Sequence, residues 1–262
     1  MVDNPIAPSL EQTLAFCAGD PVERVFLEDV ARRGVGRFLG VGGEGGLRAL
    51  CHLGANVVPS GNGCGVFAEA VARARPSMII GEERAVSELW EAVSRSFGAL
   101  REDRPGQPVF ELRERPASGR SALRPATLGD LDRLVPACAA AYREELGVDP
   151  LLRDGAAFRR RTRQQIEEGR SWLWLEDDTV CFKAEASAWT PSAVQLQQVW
   201  VDPEARRLGF ARRGLQDLFR LLLDRVPIVC LFVRAENAAA VGLYEAVGMR
   251  RTLSYRSVLL GG

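Results

Sequence analysis

With 262 residues and 47% hydrophobic content, the chain is long enough for one large domain or two of ordinary size and apolar enough to fill packed cores, which excludes disorder as its main character. Lysine plus arginine and aspartate plus glutamate stand at 34 each, so no global field draws the protein onto nucleic acid or an acidic membrane, and any anion site has to be local. No segment approaches the roughly 20 uninterrupted apolar residues of a membrane span, and the start MVDNPIAPSL lacks the basic and apolar parts of a targeting signal, so a cytoplasmic protein is expected.

The six cysteines, Cys17, Cys51, Cys64, Cys138, Cys181 and Cys230, include no C-x-x-C pair and lie mostly in apolar surroundings, so neither a disulfide framework nor a metal site is expected. Lys183 is the sole lysine, a usage that fits a GC-rich bacterial genome. Early in the chain, GRFLGVGGEGGLRALCHLGANVV reads as two or three short strands separated by Gly-Gly turns. Residues 67–74 and 85–97 carry helical spacing, with Val86, Leu89, Trp90 and Val93 on one face, and SMII and PVFEL read as strands beside them. In ERPASGRSALRP, residues 114–125, Pro, Gly and Ser interrupt the pattern, which places a domain boundary near residue 120, with units over 1–119 and 120–262.

The second unit opens LRPATLGDLDRLVPACAAAYREELG, where Thr127 can cap a helix with Leu131, Leu134, Val135, Cys138 and Ala141 on its apolar face. A helix follows around 156–168, then three strands in WLWLEDDTVCFKAEASAWTPSAVQLQQVWV with EDD and TPS as turns. After VDPEARRLGFA comes a helix with Ala211, Leu215, Leu218, Phe219 and Leu222 inside, stopped by Pro227. IVCLFV reads as a strand covered on both faces. Asn237 N-caps a helix bearing Ala240, Leu243, Tyr244 and Val247, Gly248 is its left-handed stop, and residues 255–260 form a last strand. This order predicts an α/β fold: a mixed sheet flanked by helices.

Four arginines, Arg206, Arg207, Arg212 and Arg213, surround Gly209 where a strand turns into a helix. A helix N-terminus exposes unpaired amides and the positive end of its dipole, and Gly209 lacks the Cβ that would hold a phosphate off its amide. The stretch from Arg206 to Ala211 is therefore read as a concave donor set flanked by guanidinium groups. RFLGVG, residues 37–42, fits the same short pattern but lies inside a strand-like stretch and is read as a decoy.

Residues 121–262 resemble the GNAT superfamily of acyl-CoA-dependent N-acyltransferases. The family's phosphate-loop motif appears as VDPEARRLGFA and its later Asn-to-Leu-Tyr-x-x-x-Gly signature as NAAAVGLYEAVG. The resemblance implies a GNAT fold with acetyl-CoA or another acyl-CoA as co-substrate. Backbone groups of Val199, Trp200 and Val201 would hold the pantetheine, and amides from Arg206, Arg207, Leu208, Gly209, Phe210, Ala211 and Arg212 the pyrophosphate. Asn237 and Ala240 would line the cofactor, and Tyr244 would point its hydroxyl at the thioester sulfur; the alternative for Tyr244 is a core aromatic. The first unit resembles an uncharacterised domain fused ahead of actinobacterial-type GNAT proteins and is read as a degenerate, smaller GNAT-like α/β unit in a tandem arrangement. Its SGNGCG, residues 60–65, has the glycine spacing of a phosphate loop without the arginines, and a plain glycine turn is the preferred reading.

Acyl transfer to an amine calls for a general base, a polarised carbonyl and a proton for the leaving thiolate, and the Val199 amide is expected to stabilise the oxyanion. Many relatives place a glutamate four residues before the Val199 position, but here Gln195 stands there and cannot take a proton. Glu185 is the substitute, on one strand face with Lys183 and Ser187; an ion pair with Lys183 is the alternative. His52, the only histidine, reads as structural, and Trp172, Trp174, Trp189 and Trp200 as core or acceptor-pocket residues. The expected function is N-acyl transfer to a primary amine of a small molecule, amino acid or peptide, without nucleic-acid or membrane partners; a homodimer is compatible with it. A catalytically silent acyl-CoA-binding sensor or scaffold, favoured by Gln195, is the competing reading.

Overall fold

Helix caps and turn glycines set the elements in chain order. The computed structural model describes residues 4–43 and 45–261; Glu44, in the expected Gly-Gly turn, and the first three residues of the stretch read for targeting lie outside them. A capping box of Ser9 and Gln12 opens α1 (Leu10–Ala18), and α2 (Val25–Arg32) follows. Strands β1 (Arg37–Gly43), β2 (Gly46–Leu53) and β3 (Asn56–Gly61) form an antiparallel meander. Then come α3 (Ala68–Ala74), β4 (Met78–Glu82) parallel to β3, α4 (Glu83–Val93) and β5 (Leu100–Leu112), which starts well before PVFEL.

Residues 113–123 carry neither helix nor strand. Beyond them lie β6 (Arg124–Pro125), a capping box of Thr127 and Asp130, and α5 (Leu131–Leu146). Helix α6 (Pro150–Glu167) begins earlier than its apolar spacing predicts, because Asp149 caps it and Pro150 fits a first helical turn, with a break at Asp154. The expected three strands are β7 (Ser171–Glu176), β8 (Thr179–Trp189) and β9 (Val194–Val201). The chain closes with α7 (Phe210–Leu223), β10 (Val229–Phe232), α8 (Ala238–Ala246) and β11 (Arg250–Leu260). Gly248 takes φ 94°, the left-handed stop expected after α8.

All eleven strands of the described residues join one mixed sheet in the order β1-β2-β3-β4-β11-β5-β10-β9-β8-β7-β6. The two halves exchange their last strands. β5, which leaves the amino-terminal half, pairs with β10, and β11, which ends the carboxy-terminal half, pairs with β4; β5 and β11 also pair with each other. The connection near residue 120 therefore joins units that share a continuous sheet.

Alternation along the strands divides the core between two helical layers. On one face α7 and α8 bury Leu215, Leu218, Phe219 and Tyr244 against Phe110, Leu196 and Leu231, and α3 and α4 bury Phe67, Val71 and Leu89 against Ala49, Ile79 and Val258. On the other, α5 and α6 cover Leu173 and Trp200, and α2 covers Cys230 and Tyr255. No helix among the described residues is long and apolar enough to cross a membrane.

Candidate active site

The two parallel strands at the centre of the carboxy-terminal half hardly pair. β9 and β10 are joined only at Val194 with Val229 and Gln195 with Cys230, so further along β9 the edge facing β10 has no strand partner. A bulge in β9 belongs to this opening. Lys183 and Glu185 of β8 lie opposite Trp200 and Gln197, which places one extra residue on β9, and Gln198 takes φ 53°. The extra residue switches the alternation. Val199 and Val201 consequently pack toward the α7/α8 core, while Trp200 points into the α5/α6 core, where its Nε1 donates to Glu144 at 3.2 Å.

Beyond β9, Asp202 caps a 3₁₀ turn at Pro203–Ala205, and the chain then reverses through Arg207 at φ 64° and Gly209 at φ 88° into α7. No side chain caps α7. Among the described residues, the consecutive amides of residues 207–212 make no hydrogen bond of normal geometry to backbone or side chain. The four arginines do not act alike. Arg206 donates to both oxygens of Glu144 at 2.6 and 2.8 Å. Arg213 donates to the Gly119 carbonyl at 2.9 Å and to that of Arg120, with its guanidinium over the Trp174 ring. Arg207 and Arg212 are exposed and have no ion pair or hydrogen bond among the described residues.

The connection that engages Arg213 is itself clamped onto α7. Asp217 accepts from the amides of Gly119 at 2.8 Å and Ser121 at 2.7 Å and from the hydroxyls of Ser118 and Ser121. Gly119 has to be glycine, since a Cβ there would lie 2.0 Å from the Arg213 carbonyl oxygen.

On the far side of the opening, the Asn237 side-chain Oδ1 accepts from the Ala240 amide at 3.1 Å and so caps α8, whose first turn carries Ala240 at intermediate burial. Tyr244 is buried against Phe110, with ring centroids 5.6 Å apart. Its hydroxyl makes no hydrogen bond among the described residues. Burial pushes the phenol well above the ordinary tyrosine value, and the charge of Glu145 adds to the rise, so Tyr244 stays protonated.

Glu185 lies on the α5 side of β8, in a buried ion pair. Lys183 Nζ donates to it at 2.6 Å and Cys138 Sγ at 3.1 Å. Burial works against the Lys183 ammonium, but Glu185 outweighs it and the group lies above the ordinary lysine value. Gln195 sits at the root of the opening, its Nε2 donating to Ser187 Oγ at 2.9 Å. Sequence reasoning missed Glu145, at the end of α5. Its carboxylate accepts from the Gln198 side-chain Nε2 at 3.2 Å, and only the bulge and the helix packing bring the two together.

A second opening in the amino-terminal half is closed by the protein itself. β3 and β4 pair only at Asn56 with Met78 and Val57 with Ile79, but the Glu88 carboxylate accepts from the amides of Gly63 at 2.7 Å and Cys64 at 3.0 Å. A carboxylate thus caps the amides at the end of SGNGCG. His52 is structural, its Nε2 3.1 Å from the Val35 carbonyl and its ring between Phe26 and Phe38. Among the described residues no group of three His, Cys, Asp or Glu side chains is placed to hold a metal.

Residues 139–249 match the family model described as acetyltransferase (GNAT) family, and residues 36–134 match that of a domain of unknown function, DUF4081. No curated protein matches the chain. Among solved structures, an acetyltransferase of the GNAT family from Colwellia psychrerythraea is 12% identical, with 98% of this chain and 99% of that one aligned at a TM-score of 0.62. A GCN5-related N-acetyltransferase from Sphaerobacter thermophilus is 16% identical over 100% and 97%, also at 0.62. A tandem GNAT protein from the clavulanic acid biosynthesis pathway is 13% identical over 99% and 98%, at 0.57. The open loop, the bulged strand and the family match coincide in one half, and the fold likeness runs through both: residues 139–249 are an acetyltransferase domain of the GNAT family, in a chain with the tandem GNAT fold.

Proposed function

We propose that the protein transfers an acetyl or other short acyl group from acyl-CoA to a primary amine of a small molecule, amino acid or peptide. One observation carries the reading: the amides of residues 207–212 have no acceptor within the described protein, open an amphipathic helix, and adjoin the unpaired edge of β9. A row of donors at the positive end of a helix dipole suits a pyrophosphate. Arg207 and Arg212 supply exposed charge, while Arg206 and Arg213 shape the loop through Glu144 and the connection.

In this reading the edge of β9 at Val199 and Val201, where Arg206 Nε also reaches the Val201 carbonyl at 3.3 Å, holds the pantetheine by backbone hydrogen bonds, Trp200 pairs with Lys183 on the other edge, and Asn237 and Ala240 line the opposite wall. When bound, acetyl-CoA supplies an acetyl group already activated as a thioester. The Val199 amide stabilises negative charge on the acyl oxygen. Tyr244, kept neutral by burial, holds the proton that the departing sulfur needs. Glu185 is the base expected from the sequence, and its pairing with Lys183 leaves it a structural part in this reading.

Titration calorimetry with acetyl-CoA, CoA and inorganic phosphate tests the donor, and thiol release with a panel of primary amines tests the transfer. Tight binding of acetyl-CoA and CoA with weak phosphate binding is expected. Absence of acetyl-CoA binding overturns the reading.

A further inference from the structure

Glu185 and Gln195 leave the proposed reaction without a base, and the acidic groups around the opening differ in what holds them. Glu185 is paired with Lys183. Glu144 is paired with Arg206 and also receives the Trp200 indole. Glu102 on β5 is held by Arg104 and lies 3.7 Å from Arg234, and the Arg104 hydrogen bond keeps it below the ordinary carboxylate range. A carboxylate held by a guanidinium is a poor proton acceptor. Glu145 is different. Its side chain is exposed and has no cation partner among the described residues, and its one contact is the neutral Gln198 amide at the bulge.

Two further features bear on this carboxylate. Its charge adds to the rise that burial imposes on the Tyr244 phenol of α8. The last turn of α5 is also tied down from the exchanged strand: Arg104 donates to the Glu145 carbonyl at 3.3 Å and Arg101 to that of Leu146. Arginines at a helix C-terminus satisfy its free carbonyls and complement its dipole. The amino-terminal half thereby fixes the turn that carries Glu145.

We infer that Glu145 is the residue that binds the acceptor ammonium and takes its proton, held in place by Gln198 and by the backbone grip of Arg104. The inference rests on the acyl-CoA reading above. The acceptor arrives as an ammonium. One N–H bond breaks and its proton moves to Glu145, freeing the lone pair that forms the C–N bond to the acyl carbon as the C–S bond breaks. The sulfur gains the Tyr244 proton, the phenolate regains one from the second N–H of the nitrogen through solvent, and Glu145 gives its proton to water. One proton is released for each acetyl group moved. The charged groups that reach this turn are Arg104, on the Glu145 carbonyl, and Arg101, on that of Leu146, beside the neighbouring Glu144–Arg206 pair.

Full-length protein and its Glu145→Gln and Glu145→Asp variants are compared for acetyl-CoA binding by calorimetry, and for thiol release with spermidine, glycine amide and a glycyl dipeptide and with water alone as acceptor. Carbodiimide coupling of glycine ethyl ester, mapped by mass spectrometry, reads the carboxylates of the free protein. We expect Glu145 to be labelled while Glu185 is spared. Glu145→Gln should keep the acetyl-CoA Kd, lose about 100-fold or more in kcat/KM, and lose the acidic limb of the pH profile, with Glu145→Asp recovering part of it. A Glu145→Gln variant within two-fold of the parent, with the same pH profile, overturns the inference and leaves the acyl-CoA reading standing. So does a parent that binds acetyl-CoA but releases no thiol to any acceptor. Failure of the parent to bind acetyl-CoA overturns both.

Discussion

Gly209→Ala separates the phosphate loop from the rest of the site. Gly209 sits at φ 88°, and a Cβ built there meets only the Arg213 Cδ, 3.9 Å away, so crowding adds nothing and the cost is that of the left-handed backbone. That cost is about 1–2 kcal/mol for an L-residue, or roughly 2–8 °C in Tm for a chain of this size. If the backbone relaxes toward the right-handed region, the row of amides at residues 207–212 loses its common direction. Loss of even one hydrogen bond to a charged phosphate, worth about 1.5–3 kcal/mol, weakens acetyl-CoA binding about 10-fold to 100-fold. Calorimetry with acetyl-CoA and with S-acetylpantetheine, which lacks the pyrophosphate, reads the difference: only the first should weaken. Gly248→Ala is the matched control, with φ 94° and its nearest contact, Leu112 Cδ1, at 3.8 Å; it should lower Tm comparably and leave affinity alone. Acetyl-CoA affinity within two-fold of the parent, or an equal loss with S-acetylpantetheine, would refute the assignment of the loop.

Tyr244→Phe should lower kcat for thiol release about 100-fold with little change in acetyl-CoA Kd or Tm, because the hydroxyl has no hydrogen-bond partner to lose among the described residues; an unchanged kcat removes the proton-donor role. Asp217→Ala should cost about 1–3 kcal/mol in urea unfolding and open residues 113–123 to proteolysis, since the Gly119 and Ser121 amides lose their acceptor. Burial raises the Asp217 carboxyl, but its donors, Ser121 foremost, outweigh that and hold it below the ordinary aspartate value. Its contribution is therefore full above about pH 4 and fades as the pH falls through the lower folded value, which unfolding in the parent and Asp217→Ala across that range will show. Burial pushes the thiols of Cys17, Cys64 and Cys138 up to about 12, so at pH 8 only about one in 10,000 is ionised and iodoacetamide should leave them unmodified in the native protein; rapid labelling of any of them contradicts their burial. Glu88→Ala should destabilise the fold by about 1–3 kcal/mol and leave acetyl-CoA affinity unchanged, whereas a loss of affinity would move the phosphate site to the amino-terminal half.

Much of the site is legible in the sequence because its signals are local. Gly209, Asn237 and Gly248 announce themselves by backbone and capping chemistry that acts within a few residues, and each holds its expected place. Helix α1 carries a local signal that sequence reasoning passed over, the Ser9 and Gln12 capping box, whereas α2 has no side-chain cap, and β5 is legible only where PVFEL is apolar, since its earlier part runs through Arg101, Glu102, Asp103 and Arg104. Glu185 and Lys183 were visible as neighbours on one strand face, but whether the carboxylate is free or paired depends on how deeply α5 buries it.

The sequence by itself determined the α/β class and the strand-loop-helix that frees the amides of residues 207–212, because hydrophobic period, proline and glycine act along the chain. Only the tertiary structure decided that β5 and β11 exchange places, that Glu88 caps the amides of Gly63 and Cys64 while those of residues 207–212 stay free, and that Gln198 and Glu145 come into hydrogen-bond contact. A strand carries the same alternation whichever neighbour it pairs with, and the effect of a charge depends on groups that may lie a hundred residues away.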